Sequence, residues 1–449
     1  MEQPLISILM PCLNMEKYIE QSIESAINQT VKEIEILIID AGSTDSTLEI
    51  LEKYAKKDNR IKIIHSLQKS YGHQMNIGIS EAKGKYIGVL DPDDLLVENA
   101  YEELYYVALK SNADYVKGTA EGFFDLGNCE NYHFPITSYP IHEYGDRIEV
   151  VPKDTPAIIF YDTFLWYGLY QADFFKQIYF LETPGAAFQD IAAMLQIHMS
   201  AKKAVYISKC VYYYRQDNNK ASSYNHKGFL YIAEEYEYAE KFLEGKSVEW
   251  RSVFYHKMFM HWKNRFWIMA SGEFWDDAVL DMERVSDRIC EADKKGIILY
   301  KEMPEEYFAE IELFQQNPYL LYQIYRKEYE KCQNVLKKLL VLVKEENIVI
   351  FGTGKYGDFL YKTMLYNQIT GVMAYCDNNK ERQGKKLGKL PVLSPEEAVS
   401  VYKEAYFIIT SKKHREDMKE QLEWLGVEKG KILFFHTGED RRIFTEKLL

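Results

Sequence analysis

Between residues 5 and 96, four short apolar runs alternate with stretches of helical spacing, and each run ends in a polar cluster. The runs are Leu5–Met10, Ile34–Ile39, Ile61–Ile64 and Ile87–Leu90. Short apolar runs bounded by turn residues read as strands buried on both faces. Between the first two runs, Tyr18, Ile19, Ser22, Ile23, Ala26 and Ile27 recur three or four apart, which reads as a helix. Two further helices are expected around Leu48–Ala55 and over Gly72–Ala82. This alternation argues for a mostly parallel sheet with helices on both faces. In such sheets ligands bind beyond the carboxyl ends of the strands. Asn14, Asp40 and Asp91 each follow a strand, so the topology gathers them on one edge; Asn14 is also placed to cap the first helix.

The fourth run leads into Asp91-Pro92-Asp93-Asp94. Three carboxylates at one strand end repel one another unless a cation or a donor-rich ligand sits among them. Mg²⁺ or Mn²⁺ suits such oxygens, often shared with a substrate phosphate. An acidic turn that caps a helix from Val97 onward is the plainer alternative. Further on, Phe188-Gln189-Asp190 opens an apolar helix, with Asp190 in its first turn. There the helix dipole favours any carboxylate, functional or not. The runs Val205–Ser208 and Cys210–Tyr214 read as two strands and lead into a polar loop, Arg215 to Ser223, that carries Arg215 and Lys220.

Residues 228–346 are helical in pattern. Their dense aromatic face, around Met258, Phe259 and Trp262, reads as core; His256 and His261 are five apart, which does not suit a metal pair on one helical face. At Asn347 the pattern changes. A strand, Ile348–Phe351, meets Gly352-Thr353-Gly354-Lys355-Tyr356-Gly357, and a second strand ends at Asp377, about 20 residues past the last glycine. This G-x-G-x-x-G in a strand–turn–helix setting predicts a small Rossmann-like domain. Gly352, Gly354, Gly357 and Asp377 are candidate ligand contacts, or the glycines serve only the tight turn. Three regions result: 1–225, 226–346 and 347–449.

Composition narrows the function. A net charge of −13 argues against a general nucleic-acid binder. Six scattered cysteines without a C-x-x-C pair argue against zinc or a disulfide framework, and fit a reduced cytoplasmic compartment. The opening Met-Glu-Gln-Pro has no basic-then-apolar stretch, and no apolar run approaches 18 residues, so neither a signal peptide nor a membrane span is expected. Peripheral contact with the inner face of a membrane stays open.

With these segments assembled, the first 225 or so residues resemble glycosyltransferase family 2, inverting enzymes of the GT-A fold. Ser7 to Asn14 resembles the opening strand with its Pro11-x-x-Asn14 turn. Ser25-Ala26-Ile27-Asn28-Gln29-Thr30 resembles a Ser-x-x-x-Gln-Thr segment. Asp40-Ala41-Gly42-Ser43-Thr44-Asp45 resembles the family's Asp-Asp-Gly-Ser-Thr-Asp, with Ala41 for the second Asp. Asn76 to Ile87 resembles the approach to the metal motif, Asp91-Pro92-Asp93-Asp94 the motif itself, Phe188-Gln189-Asp190 the base segment, and Tyr213 to Ser222 the closing loop. Gln189 departs from the usual Glu. The family's Ala-Arg-Asn is Gln74-Met75-Asn76 here, so its arginine is missing; His73 either compensates or packs.

The resemblance implies a metal-dependent glycosyltransferase that moves a sugar from a nucleotide-sugar, with a UDP-sugar expected, to a glycan or lipid-linked glycan acceptor. It implies donor contacts from Pro11, Asn14, Asp40, Ser43, Asn76, Asp91 and Arg215. Asp40 would accept the base N–H, and Asp93 with Asp91 would ligate Mn²⁺ or Mg²⁺. Asp190 would act as base, and Arg215 or Lys220 would close over the diphosphate. Asp94 would cap a helix or approach the acceptor. The last hundred residues resemble, more loosely, modules of sugar-modifying enzymes from bacterial surface-glycan pathways. Other classes weighed are a sugar-nucleotide nucleotidyltransferase, a non-catalytic nucleotide-sugar-binding protein and an NAD-linked oxidoreductase.

Overall fold

The computed structural model describes residues 3–125, 132–136, 145–218, 220–221, 231–269, 275–299, 305–411 and 414–435. The chain separates into two compact units, Met1–Phe123 with Pro135–Leu321, and Phe124–Phe134 with Tyr322–Leu449.

The first unit is built on β1 (Ile6–Cys12), α1 (Ile19–Ile27), β2 (Ile34–Asp40), α2 (Thr47–Ala55), β3 (Ile61–His65), α3 (Tyr71–Glu81) and β4 (Tyr86–Val89). β5 (Leu95–Leu96), α4 (Ala100–Ser111), β6 (Tyr115–Phe124), β8 (Arg147–Val150), β9 (Gly168–Gln171), α5 (Ile191–Ser200), β10 (Ala204–Arg215) and α6 (Ile232–Glu240) follow, while β7 (Tyr132–Pro135) falls almost wholly in the stretch grouped with the second unit. The main sheet runs β3-β2-β1-β4-β9-β6-β10-β5. Its first four strands are parallel, as the alternation predicts. β9 then enters antiparallel to both β4 and β6, so the sheet is mixed. Every residue of β1 and β2 is buried, which is why their sequences carry no polar alternation.

Register sets the working edge. Cys12 pairs with Asp40, Asp40 with His65, and Leu9 with Val89. The carboxyl ends of β1, β2, β3 and β4 therefore finish together. α3 lies across β1 and β2, and a Cβ on Gly78 would sit 3.0 Å from Ile39 Cδ1 and 3.2 Å from Leu9 Cδ2. That close approach seats the start of α3 at the same edge.

Three local expectations change. The helix expected from Val97 begins at Ala100, because Leu95 and Leu96 pair with Tyr213 and Tyr212, and the Val97 N–H donates to Val211 O. The two strands expected at 205–214 are one long strand, β10, whose register slips between Tyr206 and Tyr212. The slip lies against Gly118, where a Cβ would stand 2.6 Å from Lys209 O. Asn14 does not cap α1, whose first turn has no side-chain cap.

In the helical region the aromatic face is core. Trp262 and Phe254 are fully buried, and Phe259 meets Phe314 edge-on at 5.3 Å. His256 packs on Phe160 at 4.9 Å, and His261 Nδ1 lies 2.8 Å from the Tyr236 hydroxyl. Among the described residues no helix is long and apolar enough to cross a membrane.

The second unit carries a six-stranded sheet: β11 (Ile348–Phe351), β12 (Val372–Cys376), β13 (Lys386–Leu387), β14 (Leu390–Leu393), β15 (Tyr406–Ile409) and β16 (Ile432–Phe434). The order is β13-β14-β12-β11-β15-β16, with every pair parallel except β13–β14. This places the β11 turn at the point where the strand order reverses, the doubly wound arrangement. α7 (Lys355–Tyr366) follows β11 directly.

Candidate active site

The β1 and β2 ends lock together. Asn14 adopts φ +55°, and its Oδ1 accepts from the Thr44 N–H at 2.8 Å while its own N–H donates to Ser43 Oγ at 2.9 Å. An asparagine tolerates this left-handed backbone better than most residues. Asp40 accepts from the Gly42 and Ser43 N–H groups at 3.0 and 3.1 Å and from the Ser43 hydroxyl. It is 1% exposed. Asp40 is thus turned into its own loop, not presented as an open acceptor for a base. Gln74 adds a tie missed in the sequence: its Nε2 donates to Cys12 O and Ile39 O, across the ends of both strands.

The acidic cluster divides by burial. Asp94 is wholly buried, accepting from the Tyr212 hydroxyl at 2.9 Å and the Arg215 N–H at 2.7 Å. It pins the end of β10, and no described helix takes a cap bond from it. Asp91 and Asp93 are part-exposed. Burial, then the neighbouring charges of Asp93 and Asp190, pushes the Asp91 carboxyl up to about 8. Burial raises Asp93 as well, against a 2.7 Å hydrogen bond from Asn218 Nδ2. Asn218 is itself buried and orients Asp93; sequence reading passed over it as part of a polar loop.

Arg215, expected to close over a diphosphate, is here held by the protein from several sides. Its side chain is 1% exposed, its Nε donates to Asp93 O at 2.7 Å, and it bonds Gln21 Oε1. The guanidinium lies between the rings of Tyr18 and Phe123, 4.9 and 4.6 Å from their centroids. It forms a fixed wall behind the acids. Lys220 is exposed, and Ser222 and Ser223 lie outside the described residues.

Asp190 immediately precedes α5 but makes no cap bond to it. That duty falls to Glu235 from α6, whose carboxylate accepts the Ala192 N–H at 2.9 Å. Glu235 is 1% exposed, and burial pushes it up to about 8. Phe188, at φ +63°, makes the turn before Asp190. Gln189 fixes that turn: its Oε1 accepts from the Gly72 N–H at 3.1 Å, and its Nε2 donates to Leu181 O and Thr183 O at 2.8 and 2.9 Å. The departure from Glu is therefore structural, since a carboxylate could not donate to two carbonyls. Asp190 contributes to the fields acting on Asp91, Tyr71 and Glu235, so it shares the edge with the acidic cluster.

Asn76 and His73 face elsewhere. Asn76 bonds Phe180 through both N–H and C=O, and reaches Glu182 Oε1 at 2.8 Å; His73 Nδ1 lies 2.9 Å from Glu182 Oε2. Both fasten α3 to residues 180–182, so neither supplies the missing arginine's charge at a donor. In the second unit, Asp377 accepts from the Thr353 N–H at 3.0 Å and from its hydroxyl, while Arg382 reaches the same hydroxyl at 2.7 Å. A Cβ on Gly357 would stand 2.0 Å from Gly352 O, and Gly352 has φ +114°, so these two glycines answer the tight turn. Gly354 meets no atom within 4 Å.

Comparison with known proteins matches this architecture. Residues 7–161 match the model of glycosyl transferase family 2, and residues 344–433 match a family described as C2185-like, N-terminal. The glycosyltransferase GlyG of Streptococcus pneumoniae is 32% identical over 220 residues, 47% of this chain and 71% of that protein. The uncharacterized glycosyltransferase EpsJ of Bacillus subtilis is 30% identical over 230 residues, 50% of this chain and 64% of that protein. Among solved structures, S. aureus TarS 1-349 in complex with UDP-GlcNAc superposes with a TM-score of 0.53 at 18% identity, over 73% of this chain and 91% of that one, a likeness of fold. The sheet edge, the Asp91–Asp93 cluster and these matches together make the chain a member of glycosyltransferase family 2, and a glycosyltransferase.

Proposed function

We propose that this enzyme is a divalent-metal-dependent, inverting transferase that takes a sugar from a UDP-sugar to a hydroxyl of a growing bacterial surface glycan or lipid-linked acceptor. The observation that carries the reading is the helix cap supplied by Glu235. Glu235, and not Asp190, supplies the side-chain cap of α5, while the charge of Asp190 acts on Asp91 at the same edge. Asp190 then takes the acceptor proton as the hydroxyl attacks the anomeric carbon from the face opposite the nucleotide. General bases of this kind contribute about 10²–10⁴-fold.

The acids fit a shared metal site better than a closed one. Among the described residues no three His, Cys, Asp or Glu side chains form a cage. Asp91 and Asp93 supply two desolvated carboxylates, and Mg²⁺-type sites use one or two plus substrate phosphates. A bound ion would neutralise charge on the departing diphosphate. Asn218 holds Asp93 in place, and the fixed Arg215 offsets its charge. UDP as carrier draws on the TarS complexes with UDP and UDP-GlcNAc. A lipid-linked acceptor would put the reaction at the cytoplasmic face of a membrane.

The test is a panel of nucleotide-sugars with Mn²⁺, read by thermal shift and donor hydrolysis. One UDP-sugar should raise the melting temperature, and EDTA should abolish the rise. Asp93→Asn should lose that metal-dependent rise. Asp190→Asn should bind donor and lose about 10²-fold or more in transfer. Normal transfer by Asp190→Asn would remove it as the base, and stabilisation by a GDP- or CMP-sugar alone would remove UDP.

A further inference from the structure

Tyr71 is the first residue of α3 and belongs to no motif of the site described above. Its neighbours on both sides are tied to the base loop. Ser70 Oγ lies 3.3 Å from Gln189 Oε1, and the Gly72 N–H donates to that same oxygen at 3.1 Å. Gln189 directly precedes Asp190, so the Tyr71 backbone and the candidate base are two ends of one clamp. Gly72 tightens it, since a Cβ there would stand 1.8 Å from Leu181 O. The Tyr71 ring packs edge-on against Phe180, with centroids 6.3 Å apart. The ring is therefore held, whereas its hydroxyl bonds none of the described residues.

The hydroxyl stands in the fields of Asp91 on the donor side and Asp190 on the acceptor side. Burial, then those two charges, raises it well above the usual tyrosine range, so it keeps its proton and remains a hydrogen-bond donor. A held ring with an unused donor thus sits at the sheet edge where α3 begins and beside the base loop, the side on which the proposed transfer takes place. A sugar offers hydroxyl oxygens as acceptors there.

The geometry points to Tyr71 as a sugar-contacting residue whose hydroxyl donates to an oxygen of the transferred sugar and so helps set donor specificity. This rests on the proposed donor and base. Gln189, in place of the family's Glu, acts through it as a positioning residue, because it fixes both Ser70 and Gly72.

The test compares UDP with UDP-GlcNAc, both with Mn²⁺, by calorimetric titration of the wild-type full chain and of Tyr71→Phe. That variant keeps the ring and removes one oxygen. UDP, which lacks the sugar, should bind both proteins alike. UDP-GlcNAc should bind Tyr71→Phe about three- to tenfold more weakly, the size of one neutral hydrogen bond. Donors lacking single sugar hydroxyls supply a second arm that needs no variant to fold. One of them should lose the same factor on wild type and nothing further on Tyr71→Phe. Equal affinity for UDP-GlcNAc in both proteins, or an equal loss for UDP and UDP-GlcNAc, overturns the assignment. If wild type binds neither UDP nor UDP-GlcNAc, the UDP-sugar reading fails first, and Tyr71 falls with it.

Discussion

Replacing Gln189 by glutamate restores the residue usual at this place in the family, yet the structure predicts a loss. Gln189 is 1% exposed. Its amide nitrogen donates to two carbonyls, Leu181 O and Thr183 O, and its oxygen accepts from the Gly72 N–H. A carboxylate of the same shape keeps the Gly72 bond and loses both donations. Each lost neutral bond is worth about 0.5–1.5 kcal/mol, and carbonyls left facing an unpaired oxygen add about 1–3 kcal/mol. The expected cost of Gln189→Glu is therefore about 2–6 kcal/mol near neutral pH. The penalty also carries a pH signature. Burial against two carbonyls raises the introduced carboxyl above its unfolded value of about 4.3. When protonated it regains one donor. Its stability contribution is then present below the unfolded pKa and lost as pH rises through the folded one. Urea unfolding at pH 4.5 and 7.5 reads this directly: Gln189→Glu should trail wild type by the full amount at pH 7.5 and by about 1 kcal/mol at pH 4.5. A variant as stable as wild type at pH 7.5, or equally destabilised at both pH values, would refute the clamp.

Further substitutions probe the packing of both units. Lys117 and Asp162 form a wholly buried ion pair at 2.6 Å, with Tyr206 and Tyr167 also donating to Asp162. Lys117→Met should cost about 3–5 kcal/mol in urea unfolding, because it strands a buried charge; adding Asp162→Asn should recover part of that. Glu235 is raised from 4.5 to about 8, so its contribution to stability is present below pH 4.5 and lost as pH rises towards 8. Glu235→Gln keeps an acceptor for the Ala192 N–H and should flatten the fall in melting temperature across that window; an unchanged slope would contradict it. Gly72→Ala should lower stability by about 1–3 kcal/mol or more, as overpacking against backbone does, whereas Gly354→Ala, which meets no atom within 4 Å, should not.

Much of the fold was legible because the strands that build it are buried on both faces. β11 shows as an unbroken apolar run, and within β1 and β2 the apolar runs are interrupted only by Ser7 and Glu35, both buried. What stayed hidden depends on partners far along the chain. Leu95 and Leu96 became a strand only because β10 arrives beside them. β10 itself reads as two strands because the register slip near Lys209 interrupts its alternation. The short strands Lys386–Leu387 and Leu390–Leu393 offer too few residues for a period to show. The helix Pro395–Val401 was missed although Ser394 and Glu397 form a capping box visible in the sequence.

The site was legible in its positions and not in its duties, and the reason is competition for the same side-chain chemistry. The residue types that bind a donor also fasten loops: a carboxylate accepts as readily from Ser43 as from a base, and a guanidinium stacks as readily on Tyr18 and Phe123 as it reaches a phosphate. Sequence spacing brought Asn14, Asp40 and Asp91 to one edge, since each follows a strand, and set Asp190 at the start of a helix. It could not show that the edge needs its own scaffold. The structure draws that scaffold from residues expected to touch substrate, Asn14, Asp40, Asn76, Asp94 and Arg215, and each is engaged by the protein itself. On the proposed reading, the part-exposed Asp91 and Asp93, with Asp190 at the start of α5, are the carboxylates that meet the ligand. Of the residues that secure this edge, Glu235 lies in a segment without a motif, and Asn218 and Gln189 lie inside matched segments at positions whose duty the match does not give, because holding a reactive carboxylate demands geometry, which several residue types can supply, whereas binding a diphosphate demands charge at a fixed place.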